Sequence, residues 1–485
     1  MIFTLYLQPS YRCVMLGLYH ACVLNDSPFH ERCGFFFGLH NMNITIIGAG
    51  KSGLAAAKLA LRDGDTPFLT ESASADTYAS AQKTLQDAGI NHEFGNHSSK
   101  ALANCDLIIA SPGVPPYAEI IKEAESRGIP IISELEYASS HVRNPIISIT
   151  GTNGKTTTTA LTAFLFTNAG VPAIAAGNIG TPLSDCLHEL DPNTILVIEA
   201  SSYQLDRIKD YKPKVGIILN ITPDHLTYHG SFDAYQKAKW KTSLNQDAND
   251  IVILNADNPS AAACAEMSRA NIQYISMNPV QQGAYARGNE LVFVSSMHNE
   301  EVLMPFEDVR LPGVHNRYNS MAAALAARAF EIRNENIRDG LMQFSGVEHR
   351  LEFVRCRHDV NFINDSKATN INAAWYALSS YKEPIIWIAG GRGDNNAYNE
   401  LDAVAASHVK TIIAIGEEQE AIFNHFCTSI RCLKAESLEE ATQLAALEAA
   451  SGDVVLFSPA CKSFDMFANY EHRGQVFKSA VQALS

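Results

Sequence analysis

The sequence predicts an α/β protein of three open α/β domains, and three observations predict it. Short β-branched runs alternate with Ala-rich helical stretches, glycine turns stand where strands give way to helices, and 485 residues are enough for about three separate cores. Composition narrows the functions open to such a chain. A net charge of −15 argues against nucleic acid as a partner and requires any site for phosphorylated substrates to gather its own cations. The ten cysteines form no CxxC pair or metal-ligand spacing, which fits a reducing, cytosolic setting. No run of about 18 apolar residues offers a membrane span.

Residues 1–41 stand apart. They carry Cys13, Cys22, Cys33 and the run Phe35-Phe36-Phe37, show no clear period, and lack the basic start of a signal peptide. We read them as a leader that is upstream sequence or disordered, with Met42 as the start.

From Asn43 to Gly64 a strand, the turn GAGKSG and an Ala-Leu-rich helix outline a Rossmann-like βα unit. The next strand, Pro67–Thr70, closes on Glu71, an acid placed to hold a ribose of NAD; the same unit also binds other nucleotide diphosphates. Asp106–Pro112 is a further strand ending in the turn Ser111–Gly113, and the alternation closes a first domain at 42–142.

The central domain, 143–346, opens on IISITGTNGKTTTTA at Ile146–Ala160. A β-branched strand breaks at Gly151, passes through Thr152, Asn153 and Gly154, and restarts as a Thr-rich helix with Lys155, Thr156 and Thr157 at its mouth. Free amides at a helix start and the positive end of its dipole attract phosphate, and glycines let the backbone approach it. Lys155 is placed for the outer phosphates and the Thr156 hydroxyl for Mg²⁺, in a short GxxGK[ST] form of the P-loop; the alternative is a glycine turn that carries a lysine. Thr194–Ala200 reads as a buried strand with Glu199 at its C-terminal end, where α/β sheets place ligands, so Glu199 is expected to face Lys155 and Thr156 as a metal ligand or to be a structural acid. After the strand Val215–Asn220, the group Asp224, His225 and His229 suggests a metal or phosphate loop, or a solvated histidine pair. In the following helix Ser231 suits the cap and Asp233 the first turn. Phe232, Tyr235 and Lys239 share one stripe, so Lys239 turns inward while Lys237 and Lys241 do not. An inward lysine tends to lose its proton, and a neutral amine can take up CO₂ as a carbamate; ordinary snorkelling of the stem is the alternative.

Leu311–Asn319 starts an Ala-rich helix and Phe344-Ser345-Gly346 closes the domain. The third, 347–485, is a second Rossmann-like unit, with strands at Phe362–Asn364, Ile385–Ala389 and Val454–Phe457 followed by DSKATN, GGRGD and SPACKSFDMFANYEHRGQVF.

GTNGKTT, AGNIG at Ala176–Gly180, Asp224-His225 with the Lys239 helix, GVHNRYN, His349-Arg350, DSKATN and SPACKSFDMF together resemble the Mur ligases, ATP-dependent amide-forming enzymes of peptidoglycan synthesis. The resemblance runs in order from Met42 to the C-terminus, and GAGKSG, DSKATN and SFDMFANYEHRG are similar to the branch that adds D-glutamate. It implies UDP-N-acetylmuramoyl-L-alanine and D-glutamate as substrates, ATP, and two Mg²⁺ ions, the second on His225 and a carbamate on Lys239. It also implies ATP contacts from Gly151–Thr157, Asn316 and Asn319 at the adenine, Arg350 at phosphate and Asp365 at ribose. Asn178 is implied as a substrate contact, and Lys367, Thr369, Ser463 and Phe464 as the D-glutamate pocket. Ser52, Ser72, Ser111 and Gly113 become a uridine diphosphate cradle, which replaces the NAD reading. A cytoplasmic monomer whose third domain closes on the central one is the corresponding expectation.

Two positions depart from the family. Where a lysine often follows the turn after IIWIA, this chain has Gly390-Gly391-Arg392-Gly393-Asp394-Asn395, and where an arginine can follow Ser72 it has Ala73. Rival readings are another ligase of the family (diaminopimelate- or lysine-adding, or a folylpolyglutamate synthetase), an NAD-dependent dehydrogenase, and a non-catalytic P-loop module. GAGKSG and DSKATN argue against the synthetase; the dehydrogenase leaves the phosphate loop, Lys239 and the last domain unexplained.

Overall fold

Where β-branched runs are bounded by glycine turns, the chain pairs them in parallel and covers the resulting sheets with helices. In the computed structural model, residues 41–484 are described except Ile179, Glu189, Asp394 and Asn395; residues 1–40 of the leader expected at 1–41 and the departure at Asp394 lie outside the described residues. Three open sheets result, as the sequence predicts, carried by two units.

The first unit ends at Val142 and takes in the short segment Arg207–Tyr211. Its strands are β1 (Asn43–Ile47), β2 (Thr66–Glu71), β3 (Asn91–Phe94), β4 (Leu107–Ala110) and β5 (Ile131–Ser133). They pair in the order β3-β2-β1-β4-β5, so the chain reverses direction of travel across the sheet at β1 and β4, the place where such sheets bind ligands. The helix Lys51–Arg62 buries Ala55, Ala56, Ala57, Leu59 and Ala60, small residues that let it lie close against the sheet. A Cβ at Gly53 would stand 1.9 Å from the Gly48 carbonyl oxygen, which is why that helix position must be glycine. Buried Glu136 accepts hydrogen bonds from the amides of Lys209 (2.9 Å), Asp210 (2.8 Å) and Tyr211 (3.0 Å), so the returning segment satisfies a carboxylate that burial would otherwise penalise.

The second unit holds the other two sheets. The larger contains β6 (Ile146–Thr150), β7 (Ala173–Gly177), β8 (Ile195–Glu199), β9 (Val215–Ile218), β10 (Ile251–Asn255), β11 (Asn271–Ser276), β12 (Gly283–Arg287), β13 (Glu290–Val294) and β14 (Glu300–Pro305). Their order is β14-β13-β12-β11-β10-β9-β6-β8-β7. The strands β6, β8 and β9 are buried throughout, as expected of a parallel sheet covered on both faces, while β7 at the edge of the sheet buries only its last two residues. The helices Lys155–Asn168 and Val314–Ala329 pack on one face through Leu161, Leu165, Phe166, Leu325 and the alanines 322, 323, 324, 326 and 327. The sequence reading passed over β10 to β14, whose last three strands are antiparallel.

The third sheet holds β15 (Glu352–Arg357), β16 (Val360–Asn364), β17 (Ile385–Gly390), β18 (Val409–Ile415), β19 (Arg431–Lys434) and β20 (Val454–Phe457), in the order β15-β16-β20-β17-β18-β19. All pairs are parallel except β15 with β16. Its center is apolar on both faces, with Trp387, Ile412 and Leu456 on one side and Ile386, Val455 and Phe457 on the other. Trp387 spends its only donor on the Ser458 carbonyl at 2.7 Å.

Candidate active site

The second unit is organised around the turn between β6 and its helix. Gly154 caps that helix with φ +84°, and a Cβ there would meet Asn319 Oδ1 at 2.5 Å, so both conformation and space demand glycine. Asn220 clamps the loop from the end of β9: its Oδ1 accepts from the Asn153 amide at 2.8 Å and its Nδ2 donates to the Asn153 carbonyl at 3.1 Å. Thr152 receives the Thr222 amide on its hydroxyl at 3.0 Å. Lys155 Nζ is folded back on the loop, donating to the carbonyls of Gly151 (2.9 Å) and Thr152 (2.8 Å).

Neighbouring β8 delivers Glu199 to the same end of the sheet, since β6 and β8 are adjacent and parallel. Asn178 Nδ2 donates to its Oε1 at 3.0 Å, while Oε2 is buried with no hydrogen-bond partner. Burial lowers the pKa of Lys155, and the Glu199 carboxylate partly restores it, which places the two within electrostatic reach. Glu199 and Lys155 thus stand at the same end of the sheet without pairing directly, and Asn178 is the side chain that holds Glu199.

The helix Phe232–Trp240 brings the second lysine. Ser231 caps it, accepting from the Ala234 amide at 3.1 Å, and Lys237 pairs with Asp233 at 2.8 Å on the outer face. Lys239 turns inward and is only 2% exposed. Its Nζ donates to the Gly151 carbonyl at 2.8 Å and lies 4.8 Å from the center of the Tyr235 ring. Burial first, and then the Lys155 charge, hold its pKa well below the ordinary lysine value. The two histidines part company: His229 Nε2 lies 3.0 Å from the Ser202 hydroxyl, whereas His225, its side chain only partly covered, stands beside Asp224 with Nδ1 3.5 Å from the carboxylate. Burial lowers the pKa of both, which favours neutral imidazoles.

Three further side chains reach the loop from the remainder of the unit. Lys367 Nζ donates to Thr156 Oγ1 at 3.2 Å, so it stands at the phosphate loop, 5.4 Å from the Tyr470 ring center. Burial, the first cause, lowers its pKa to about 8. Arg350 forms no ion pair among the described residues, and its Nε is buried without a partner. Asn319 Oδ1 accepts from Thr158 at 3.1 Å and its Nδ2 donates to Asn316 Oδ1 at 2.9 Å, so this pair braces the loop from behind. Asp365 accepts from Ser458 Oγ at 2.8 Å and the Leu351 amide at 3.2 Å; burial raises its pKa to about 7.

Lys367 and Thr369 occupy one loop, Ser463 and Phe464 another, with Ser463 buried and Phe464 exposed. The structure ties these loops through Arg473, to which the sequence reading gave no role. Its guanidinium donates to the Ser366 carbonyl at 2.7 Å, the Ser366 hydroxyl at 3.1 Å and the Cys461 carbonyl at 3.0 Å. The EHRG stretch marked the place, but only the fold shows an arginine buried there. Arg392 is exposed and bound to Glu417 through bonds of 2.8 and 3.0 Å. Glu348, His349 and Glu352 also cluster, but Lys478 Nζ lies 2.6 Å from Glu348 and 2.7 Å from Glu352, so the chain itself neutralises them.

In the first unit a separate cleft of about 400 Å³ is lined by Gly48, Ser52, Ser72, Ser111 and Gly113 among others. Glu71 is used internally: it accepts from the Ala49 amide at 2.9 Å, the Ala73 amide at 2.9 Å and Ser72 Oγ at 3.2 Å. With both oxygens so bound, it shapes the turn and is not left free for a ribose.

These observations define what the site fits. Glycine-lined amides and the cations Lys155, Lys367 and Arg350 suit a polyphosphate, and the unpartnered Oε2 of Glu199 with the Thr156 hydroxyl supplies the hard oxygens that Mg²⁺ prefers.

Comparison with known proteins gives three matches along the chain: Mur ligase MurD-like N-terminal domain over residues 42–133, Mur ligase middle domain over 149–327, and Mur ligase glutamate ligase domain over 349–461. A relative from Salinibacter ruber, UDP-N-acetylmuramoylalanine--D-glutamate ligase, is 42% identical over 451 residues, covering 91% of this chain and 97% of that protein. One of the same name from Chloroherpeton thalassium is 42% identical over 457 residues, covering 90% and 97%. Among solved structures, UDP-N-acetylmuramate-alanine ligase from Thermotoga maritima shares the fold with TM-score 0.58 at 18% identity, covering 91% of this chain and 100% of that one. A MurF ligase from the same organism in complex with ADP gives 0.55 at 15% identity, covering 92% and 96%.

Proposed function

The chain belongs to the Mur ligase family, and from that premise we propose that it adds D-glutamate to UDP-N-acetylmuramoyl-L-alanine at the expense of ATP, a cytoplasmic step in making peptidoglycan precursors. The observation that carries the chemistry is the convergence of Lys155, Lys367 and Arg350 on one phosphate loop in a chain of net charge −15, with the buried amine of Lys239 beside them.

The reaction explains why such a cluster is needed. A carboxylate is a poor electrophile, so the γ-phosphoryl group of ATP is transferred to the alanine carboxylate, giving an acyl phosphate. The amine of D-glutamate then attacks that carbonyl, a tetrahedral intermediate forms, and phosphate leaves as the amide bond is made. The first step joins two anions, and neutralising their repulsion in a site that excludes water supplies most of the rate. Loop amides from Gly151 to Thr157 and Lys155 hold the phosphates, and Arg350 adds charge from the third sheet's side of the unit. Asn178 orients Glu199. Mg²⁺ on Thr156 and Glu199, and a second ion on His225 and Lys239, would supply further charge neutralisation when bound.

Lys239 as an ammonium cannot ligate a cation. Its burial favours the neutral amine, whose lone pair adds to CO₂ with release of a proton to solvent, leaving an anionic carbamate as the ligand. Asn316, Asn319 and Asp365 are assigned to the nucleoside of ATP, and Lys367, Thr369, Ser463 and Phe464 to D-glutamate. The position of Lys367 at Thr156 supports a lysine shared between the amino acid and the phosphate being transferred. Arg392 would have to leave Glu417 to reach the glutamate side chain. The first-unit cleft is assigned to the uridine diphosphate end of the sugar nucleotide, through Ser52, Ser72, Ser111 and Gly113.

The test is phosphate release by the pure protein given ATP, UDP-N-acetylmuramoyl-L-alanine and one amino acid at a time. Release that depends on D-glutamate, and not on diaminopimelate, lysine or L-glutamate, is expected. Release with diaminopimelate alone, or none with D-glutamate, would overturn the assignment.

A further inference from the structure

One side chain in the first-unit cleft has a hydrogen-bonding role fixed by its neighbours. Thr70, at the end of β2, is fully buried, and its hydroxyl donates to Glu93 Oε1 at 2.8 Å. Glu93 also accepts from the Ser98 amide at 2.9 Å and the Ser98 hydroxyl at 2.5 Å. Burial works against its charge, but these bonds outweigh that and leave its pKa lowered, so the carboxylate is ionised and has no proton to give. The single hydroxyl proton of Thr70 therefore goes to Glu93.

His97 Nδ1 lies 2.8 Å from that same Thr70 oxygen. With its proton committed, the oxygen can only accept, so Nδ1 of His97 must carry a hydrogen. Burial lowers the pKa of His97 despite the opposing charges of Glu71 and Glu93, which leaves the ring neutral at pH 7. A neutral imidazole protonated at Nδ1 has a bare Nε2, and that atom takes part in no hydrogen bond among the described residues. His97 lines the cleft.

The cleft's geometry says which part of a nucleotide meets it. A diphosphate belongs at the glycine turn after β1 and the start of the helix Lys51–Arg62. His97 follows β3, two strands away in the order β3-β2-β1, about 10 Å across the sheet, and it shares that end of the cleft with Ser72 and the Tyr78 ring. That distance separates a diphosphate from its base.

We propose that His97 reads the base of the sugar nucleotide: its bare Nε2 accepts the N3–H of uracil, and it rejects cytosine, whose N3 is itself an acceptor. The inference rests on the cleft holding the uridine diphosphate group. It makes His97 a specificity-determining residue of that cleft. A site built to pair with an N–H discriminates strongly against an analogue that lacks it, because two acceptors are then forced together.

Calorimetric titration of the full-length protein with UDP, CDP and N3-methyl-UDP tests this. The wild type is expected to bind UDP at least tenfold more tightly than either analogue, and His97→Ala to bind all three within about threefold of one another. A His97→Ala protein that keeps the wild-type ratio, or a wild type that binds UDP and CDP alike, would overturn the role of His97. Failure of the wild type to bind UDP at all would instead remove the assignment of the cleft. Nitrogen-15 spectra of the histidine rings give a check that needs no variant: the Nδ1–H tautomer is expected for His97 in the free protein, and the Nε2–H tautomer would refute the argument.

Discussion

Replacing Lys239 by methionine separates the part of this residue that holds the fold from the part that does chemistry. The substitution keeps the length and most of the volume of a side chain that is 2% exposed, so the packing cost is below about 1.5 kcal/mol. It removes one hydrogen bond, Nζ to the Gly151 carbonyl at 2.8 Å, a loss of about 1 kcal/mol. That carbonyl is not orphaned, because Lys155 Nζ also donates to it at 2.9 Å. Relief of a buried amine offsets part of the loss. The net change in stability is therefore about 1 kcal/mol, with the fold intact. If a carbamate on Lys239 helps hold a cation between two reacting anions, phosphate release falls at least a hundredfold, about 2.7 kcal/mol of transition-state stabilisation. The paired assays are chemical denaturation and D-glutamate-dependent phosphate release, the latter also with bicarbonate depleted and restored. The smaller Lys239→Ala leaves a cavity costing about 2–5 kcal/mol, into which short carboxylates such as acetate are expected to bind and restore part of the activity. Full activity in Lys239→Met, or indifference to bicarbonate in the wild type, would refute the reasoning.

Three further outcomes follow from the geometry. Gly154→Ala must place a Cβ 2.5 Å from Asn319 Oδ1 at a φ of +84°, so a loss of about 2–4 kcal/mol in stability and at least a tenfold weaker ATP affinity are expected, by denaturation and by nucleotide titration. Arg473→Met strands the Ser366 and Cys461 carbonyls and is expected to cost about 3–5 kcal/mol, while Arg473→Lys keeps the charge but cannot span both loops and is expected to raise the KM for D-glutamate more than tenfold. Asp365 has its pKa raised by burial to about 7, above the unfolded value, so the folded state holds a proton that the unfolded chain gives up between about pH 4 and 7. Stability from this group therefore falls as pH rises through that window, by up to about 4 kcal/mol, and levels off above it; denaturation of Asp365→Asn at pH 5 and pH 8 is expected to show that slope removed.

Much of the architecture was legible because local pattern and global fold agree. Buried parallel strands announce themselves as apolar runs, and the glycines after β1 and β6 mark turns that only glycine can make. Lys239 was legible for the same kind of reason: a 3.6-residue period says which way a helical side chain points. Of the antiparallel strands absent from the sequence expectation, β12 has no β-branched residue to mark it and β14 is an edge strand whose first three residues are exposed, so neither reads as a buried apolar run. The EHRG stretch marks the place of Arg473 but not its role, since an arginine in a polar helix is normally solvated, and only burial against two loops makes it a tie.

The sequence by itself determined the order of the three sheets, the phosphate loop and the inward lysine, because each depends on neighbours a few residues away. Tertiary structure alone decided which polar groups meet: that Asn178 holds Glu199, that Lys367 reaches Thr156 across 211 positions, and that Thr70 stands between Glu93 and His97. Such pairings depend on distance in space, and one-dimensional spacing carries no record of it.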